Sequence, residues 1–287
     1  MTLLYDSPQL TVHLISDGTY RTDGGAMFGL VPKPLWEPLV PADERNRILM
    51  ALNCLLIRDG GTRILVDTGY GTKVPEKQRA FIALDGERPG LLGDLAALGL
   101  AAEDISVVLN THLHADHCGG NTIVRGGYLE ATFPEATYMV QRIEWSEALF
   151  PNERTRATYL HENLDPIAPQ VELLNGDTRI SPHVRTWVTR GHTASHQCVV
   201  VEPPGEPPLV FLADLAPRRV HLERLAWIPA VDVLPLDSLE TKRAVARWLV
   251  ESQALCVLQH EPETPVGRLT EGSEGFRWVP EGASAAD

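Results

Sequence analysis

The chain has 287 residues, 44% of them hydrophobic, which is an ordinary globular balance and enough chain to bury a substantial core. Its formal net charge of −13 argues against nucleic acid or an anionic membrane surface as the main partner. No long apolar run and no basic, apolar leader are present, so we expect neither a membrane span nor a secretory signal. Four scattered cysteines favour free thiols and a cytoplasmic location.

The N-terminal part of the chain is predicted to form strands around a long irregular segment. Alternating or β-branched-rich runs indicate strands over 10–15, 51–58 and 63–67. The segment 19–47 holds many Gly and Pro residues, together with Met27, Phe28 and Trp36. We interpret it as a lid, a pocket wall or a surface that packs on a partner or, equally, as a loop folded onto its own core.

Two signals precede the most informative part of the chain. Asp67 ends a predicted strand and is followed by Thr68 and Gly69, so its carboxylate lies beside a functional site or caps a turn. Leucines at helical spacing predict a helix over 91–98, and the glycine after it suits a C-terminal cap.

Four potential ligands lie within six positions, at His112, His114, Asp116 and His117. They follow an apolar run at 107–109 that predicts a buried strand. Because strand residues alternate between faces, His112 and His114 point the same way if the extended backbone continues. Asp116 and His117 then lie on a turn and point at a second position. Clustered His and Asp residues cost stability unless they bind something, so the motif predicts two adjacent metal sites.

The C-terminal half is predicted to hold further strands and helices. Strands are expected over 137–140, 171–174, 184–188, 197–201, 209–212 and 255–258, and helices over 141–150 and 152–163. The segment 215–236 is predicted to be irregular. Asp237 and Glu240 together make an N-terminal capping signal for a helix that ends near Ser252. The end of the chain, 273–287, is predicted to be a flexible tail.

Three more polar side chains follow predicted strands in this half, at His192, Asp214 and His260. Each is a weak signal alone. With the His/Asp motif they make five imidazoles and two carboxylates, enough for two metal sites that share one carboxylate. Imidazole and carboxylate ligands without thiolate favour Zn²⁺, with Fe or Mn possible. Cys118, next to the motif, is interpreted as a packed free thiol.

These residues resemble the metallo-β-lactamase superfamily in type and order. The match comprises Asp67-Thr68-Gly69, the His-x-His-x-Asp-His run at 112–117, Gly191-His192-Thr193, Asp214 and His260. The resemblance implies an α/β fold, a four-layer αβ/βα sandwich with two mixed sheets face to face and helices outside. A single domain over 1–287 is expected.

The resemblance also implies a role for each candidate residue. The first metal would be held by His112, His114 and His192, the second by Asp116, His117 and His260, with Asp214 as the bridge. Asp67 would orient a ligand imidazole. Candidate substrate contacts are Met27, Phe28, Trp36 and His221.

Within the superfamily the sequence is most similar to the lactonase-like and organophosphate-hydrolase-like group. The segments 23–36 and 214–242 carry this likeness. Three positions depart from the group's pattern. Ala194 stands where Pro is usual, Pro217 where known lactonases have a Tyr that assists lactone opening, and Glu261 where many relatives have Asp.

The implied function is a dinuclear metal-dependent hydrolase with two Zn²⁺. Two cations lower the pKa of a bridging water to roughly 7, so that a hydroxide attacks a small ester, lactone or phosphotriester. Asp116 could orient this hydroxide and pass its proton to the leaving group. The expected partner is a small molecule, with no nucleic acid and no membrane, and the chain is expected to be a monomer or homodimer. The alternatives are an iron-dependent oxidoreductase and a glyoxalase-II-type thioesterase on the same fold.

Overall fold

The structure is a computed structural model that describes residues 1–85, 90–273 and 275–282. Internal contacts divide the chain into two compact units, each built from two separate stretches. Unit 1 comprises Met1–Tyr20 and Leu52–Thr186, and unit 2 comprises Arg21–Ala51 and the described residues from Trp187 onward. The single domain expected from the sequence stays a prediction.

The strands and α-helices are joined by short loops and 3₁₀ turns. The strands are β1 (Thr2–Asp6), β2 (Leu10–Asp23), β3 (Arg47–Asp59), β4 (Thr62–Val66), β5 (Val107–Leu109), β6 (Thr122–Arg125), β7 (Tyr128–Ala131), β8 (Thr137–Gln141), β9 (Val171–Leu174), β10 (Arg179–Ser181), β11 (Val184–Val188), β12 (Gln197–Val201), β13 (Leu209–Phe211), β14 (Leu255–Val257), β15 (Val266–Gly272) and β16 (Gly275–Pro280). The helices are α1 (Gly24–Phe28), α2 (Lys33–Trp36), α3 (Glu76–Phe81), α4 (Gly90–Ala97), α5 (Ala115–Cys118), α6 (Arg142–Leu149), α7 (Arg219–Glu223) and α8 (Pro235–Ser252).

The first seven-stranded sheet has the order β1-β2-β3-β4-β5-β8-β9. β3 and β4 form an antiparallel hairpin, and β4, β5, β8 and β9 then run parallel. All three residues of β5 are buried, and Val108 packs in one cluster with Leu91 and Leu95 of α4. β5 is therefore a central strand with parallel neighbours on both sides. Because both neighbours hold it in place, the position of its C-terminal end, which leads to residue 112, is fixed.

The second seven-stranded sheet has the order β10-β11-β12-β13-β14-β15-β16. Within it β13 and β14 are parallel, whereas β12–β13 and β14–β15 are antiparallel. In unit 2 the apolar face of α8, with Val245 and Leu249, packs on Val200, Val210 and Cys256 of these strands. The core shared by α8 and these strands holds the ends of β13 and β14 in place. From these ends the chain continues to residues 214 and 260.

One predicted helix in the second half is wrong. The stretch 152–163 consists of turns and a short 3₁₀ helix, His161–Asn163. The Asn152 side chain accepts hydrogen bonds from the backbone N–H groups of Arg154 and Thr155 and so competes with an α-helix. Within 273–287, predicted to be a flexible tail, β16 pairs with β15 and buries Trp278. Residues 274 and 283–287 lie outside the described residues.

The segments predicted to be irregular are partly ordered. In 19–47, β2 continues to Asp23, whose side chain caps α1, and α2 follows. In 215–236 the short helix α7 forms. The helix predicted from a capping signal exists as α8 but starts at Pro235, and Asp237 instead pairs with Arg190. No helix in the described part of the chain combines the length and apolar character that a membrane span requires.

Candidate metal centre

In unit 1 the structure brings the four residues of the His/Asp motif together after β5. His112 Nε2 and His114 Nδ1 are 3.1 Å apart, as expected for side chains on one face. The chain then turns into α5, where the ring centroid of His117 lies 3.8 Å from that of His112. His117 Nε2 is 3.8 Å from Asp116 Oδ2. All three imidazoles are buried, so their nitrogens converge in a region where water is largely excluded.

Asp67 fixes the orientation of this motif. The carboxylate follows β4 with a left-handed backbone (φ 56°) and is fully buried. It accepts hydrogen bonds from the backbone N–H of Thr111 at 2.8 Å and from its hydroxyl at 2.7 Å. Its Oδ2 also lies 3.0 Å from His117 Nδ1. Because a carboxylate accepts, His117 Nδ1 carries the proton and Nε2 presents a lone pair. Of the two interpretations of Asp67, the structure favours the one beside a site.

In unit 2 the Asp214 carboxylate lies between two imidazoles. Its Oδ2 is 3.2 Å from His192 Nε2, and its Oδ1 is 3.0 Å from His260 Nε2. The other ring nitrogens face acceptors, since His192 Nδ1 is 2.9 Å from Asp232 Oδ1 and His260 Nδ1 is 2.8 Å from the carbonyl oxygen of Ala51. With Nδ1 donating, each Nε2 directs a lone pair at a carboxylate oxygen. A cation placed between each Nε2 and the facing Asp214 oxygen would bind both atoms. These residues therefore fit a metal ion.

Several residues that support this group were assigned no role from the sequence. Asp232 is forty positions from His192 along the chain and is itself held by the Ser238 hydroxyl at 2.6 Å. The backbone N–H of Asp214 contacts His196 Nε2 at 3.1 Å. Gly191 has φ 149°, and a Cβ there would lie 2.5 Å from the Cα of Ser238, so the close approach requires glycine.

A buried ion pair joins the segment after Asp214 to the residue after the last histidine. Arg218 Nη2 donates to Glu261 Oε1 at 2.9 Å, and its Nε donates to Oε2 at 3.3 Å. The backbone N–H of His260 donates to the Pro217 carbonyl at 3.2 Å. Glu261, which departs from the family pattern, thus makes a two-pronged contact with an arginine next to two candidate ligands.

His221, a predicted substrate contact, is a buried and hydrogen-bonded residue of unit 2. This histidine is fully buried, its Nε2 donates to the Met27 carbonyl at 2.9 Å, and its Nδ1 accepts from the backbone N–H of Arg218. Burial lowers its pKa to about 4, so the ring is neutral. Phe28 stacks on His221 and on Trp36, with ring centroids 5.3 and 4.7 Å apart, and all three are buried. This packing agrees with the alternative of a segment folded onto its own core. The substrate-contact roles of Met27, Phe28, Trp36 and His221 stay predictions.

Cys118 is a packed thiol, as expected. Its S–H group donates to the Leu113 carbonyl at 3.2 Å, and burial raises the pKa of this thiol well above its usual range. It is therefore protonated and unsuited to metal binding. All four cysteines are free.

Comparison with known proteins gives consistent results. Residues 49–255 match the metallo-beta-lactamase superfamily. The N-acyl homoserine lactonase AttM of Rhizobium radiobacter is 26% identical over 223 residues, which cover 72% of this chain and 81% of AttM. The crystal structure of a probable metal-dependent hydrolase from Staphylococcus aureus is 29% identical with a TM-score of 0.87, over 96% of this chain and 99% of that one.

A second solved structure extends the likeness in fold. AidC, a dizinc quorum-quenching lactonase, is 21% identical with a TM-score of 0.82, over 99% of this chain and 98% of AidC. The family match covers most of the chain, and the two mixed sheets with their helices agree with it. The chain belongs to the metallo-beta-lactamase superfamily, has that family's αβ/βα sandwich fold, and is a metal-dependent hydrolase.

Proposed function

We propose that this hydrolase binds two zinc ions and cleaves a small ester, lactone or phosphotriester. The observation that carries the proposal is the orientation of three imidazoles in two separate parts of the chain. His117, His192 and His260 each turn Nδ1 to a fixed acceptor and present the Nε2 lone pair. Acceptors behind histidine rings are typical of metal sites, where they fix the tautomer and raise the basicity of the ligand.

The proposed ligand sets follow the superfamily. One ion would be held by His112, His114 and His192, the other by Asp116, His117 and His260, with Asp214 shared. The two buried acceptor pairs around Asp214 support the shared position. Nitrogen and oxygen donors without an available thiolate support Zn²⁺, with Fe and Mn as alternatives.

When bound, the two cations would supply a hydroxide at neutral pH and polarise the carbonyl or phosphoryl oxygen of the substrate. The chain's own residues have separate tasks in the reaction. Asp67 and Asp232 hold ligand imidazoles in one tautomer. Asp116, whose side chain is 17% exposed, is open enough to take the nucleophile's proton and return it to the leaving oxygen.

A lactone is the first substrate class to test. Relatives in two different genera are called N-acyl homoserine lactonases, and AidC is called a quorum-quenching lactonase. Pro217 replaces the tyrosine that assists lactone opening in known lactonases. A panel of acyl-homoserine lactones, simple lactones, aryl esters, thioesters and phosphotriesters therefore separates the possibilities.

The decisive experiment combines metal content with this panel. We expect about two zinc ions per chain and hydrolysis of at least one lactone, ester or phosphotriester. Asp214→Ala and His117→Ala should each lose turnover by roughly 10²-fold or more, because each removes a ligand. His161→Ala is the matched control, since His161 is exposed and pairs with Asp165.

Three outcomes would contradict the proposal. Wild-type turnover in Asp214→Ala would show that the bridging carboxylate is not needed. Oxygen uptake by the iron-loaded protein without hydrolysis would identify an oxidoreductase. Turnover of thioesters alone would identify a thioesterase.

A further inference from the structure

Tyr20 contacts the motif from β2, far from it in the sequence. Its hydroxyl donates a hydrogen bond of 2.8 Å to Asp116 Oδ2, across 96 positions of chain. The residue is 5% exposed, and its ring packs edge-on against Tyr70, with centroids 5.2 Å apart. Tyr70 directly follows the Asp67-Thr68-Gly69 turn. The Tyr20 ring is thus held by β2, on which it lies, and by its packing against Tyr70. Its hydroxyl points at one carboxylate oxygen of Asp116.

The contact restricts the motif residue that is least buried. Asp116 lies on the single helical turn of α5 and is the half-buried member of the motif, whereas the three histidines are buried. A hydrogen bond from a hydroxyl to a carboxylate is charge-assisted and roughly twice as strong as a neutral one. With Oδ2 engaged by Tyr20, rotation of the carboxylate is limited and the direction of Oδ1 is fixed.

We propose that Tyr20 is a positioning residue for hydrolysis that acts through Asp116. It holds the carboxylate in the orientation in which this residue binds a metal ion and carries the proton. The inference rests on the proposed function, in which Asp116 has those two tasks. Tyr20 itself does not need to touch the substrate.

Another buried tyrosine shows what a purely structural hydroxyl looks like. The Tyr138 hydroxyl accepts from the backbone N–H of Phe133 and donates to the Asn121 carbonyl, both at 3.1 Å. Its partners are backbone groups and not motif side chains. Tyr138→Phe therefore matches Tyr20→Phe in the atom removed and in burial, and serves as its control.

The test compares the two variants in three measurements: kcat and KM on the best substrate, zinc affinity by competition with a chelator, and thermal unfolding. For Tyr20→Phe we expect about a 10–100-fold fall in kcat, in the affinity for one of the two zinc ions, or in both. KM should change by no more than about threefold, because ground-state binding of the substrate is not involved. Tyr138→Phe should lower Tm while leaving kcat and zinc affinity near wild type.

An Asp116→Asn background isolates the route of the effect. If Tyr20 acts through Asp116, adding Tyr20→Phe to Asp116→Asn should change zinc affinity by less than about twofold. Wild-type kcat and zinc affinity in Tyr20→Phe would overturn the inference, as would an equal loss of kcat in Tyr138→Phe. If the wild-type enzyme turns over no substrate of the panel, the proposed function fails, and the zinc affinities of these variants still decide the role of Tyr20.

Discussion

The two groups of candidate ligands, one in each unit, are held in position by different kinds of contact. In unit 1 four candidate ligands come from one stretch of six residues, where Asp67 contacts Thr111 and His117 and Tyr20 contacts Asp116. In unit 2 three candidate ligands come from three distant loops, and each has its own support. A strand end and one helical turn are enough to arrange the first group. The second exists only after the whole unit has folded.

This difference predicts in which of the two groups the free energy of unfolding and the metal affinity depend on the same contacts. Local backbone geometry arranges the unit 1 group, so its metal affinity should depend chiefly on the few side chains that contact the motif, Asp67 and Tyr20. The unit 2 group depends on long-range contacts such as the Arg218–Glu261 ion pair, which lies beside Asp214 and His260 in the sequence. Its disruption should affect folding and metal binding together.

The largest expected effect is therefore at the buried ion pair. Glu261→Gln leaves the Arg218 guanidinium buried without a counter-charge, which costs about 3–5 kcal/mol in the free energy of unfolding. Urea unfolding of the metal-free protein measures the loss. The double variant Arg218→Met with Glu261→Leu should recover most of it, because no buried charge remains unpaired.

An exposed pair in the same unit is the control. Arg243 and Glu240 form an ion pair on α8 whose side chains are 39% and 70% exposed. Glu240→Gln should change the free energy of unfolding by less than about 1 kcal/mol. Equal losses in Glu261→Gln and Glu240→Gln would contradict a scaffolding role for the buried pair.

The same contrast explains what the sequence could predict. β5, the β3–β4 hairpin and the His/Asp motif were predictable because their signals are local: an apolar run, a Gly-Gly turn and ligand spacing. Asp232 and Tyr20 were not assigned roles, because nothing local distinguishes them from other polar residues. The burial of His221 could not be predicted for the same reason. Whether its ring faces substrate or the core is decided by Phe28 and Met27, which are distant in sequence.

A direct comparison of the two orienting carboxylates sharpens the contrast. Asp67 contacts the backbone and hydroxyl of Thr111 as well as His117, so it holds both the start and the end of its motif, whereas Asp232 contacts the candidate ligand His192 and the Ser238 hydroxyl. We expect Asp67→Ala to weaken zinc binding by about 100-fold and Asp232→Ala by about 10-fold, the two ends of the usual range for such residues. Chelator competition measures both.

A buried carboxylate away from both ligand groups controls this comparison. Asp59→Asn removes charge from a residue whose partners are Ser181 and His183, and zinc affinity should stay at the wild-type value. If Asp232→Ala were as damaging as Asp67→Ala, the idea that the unit 1 group depends more strongly on its orienting carboxylate would be wrong.

The smallest expected effect is a dependence of the free energy of unfolding on pH in the acidic range, and it involves neither group of candidate ligands. Asp59 accepts from the Ser181 hydroxyl at 2.5 Å, from the backbone N–H of His183 at 2.8 Å, and from its ring Nδ1 at 2.8 Å. Burial acts to raise the pKa of Asp59, but these hydrogen bonds outweigh it and the pKa lies below its ordinary value. The unfolded chain therefore binds a proton here at a higher pH than the folded chain.

The sign of the pH effect follows from that order. The contribution of Asp59 is fully present above the unfolded pKa of about 3.9 and is lost as the pH falls through the lower folded value. Urea unfolding of the metal-free protein between pH 6 and pH 3 should thus show a steeper acid loss for wild type than for Asp59→Asn. Because both proteins keep the same seven candidate ligands, protonation of those ligands cancels in the difference. Parallel curves would mean that the hydrogen bonds at Asp59 do not favour its charged form.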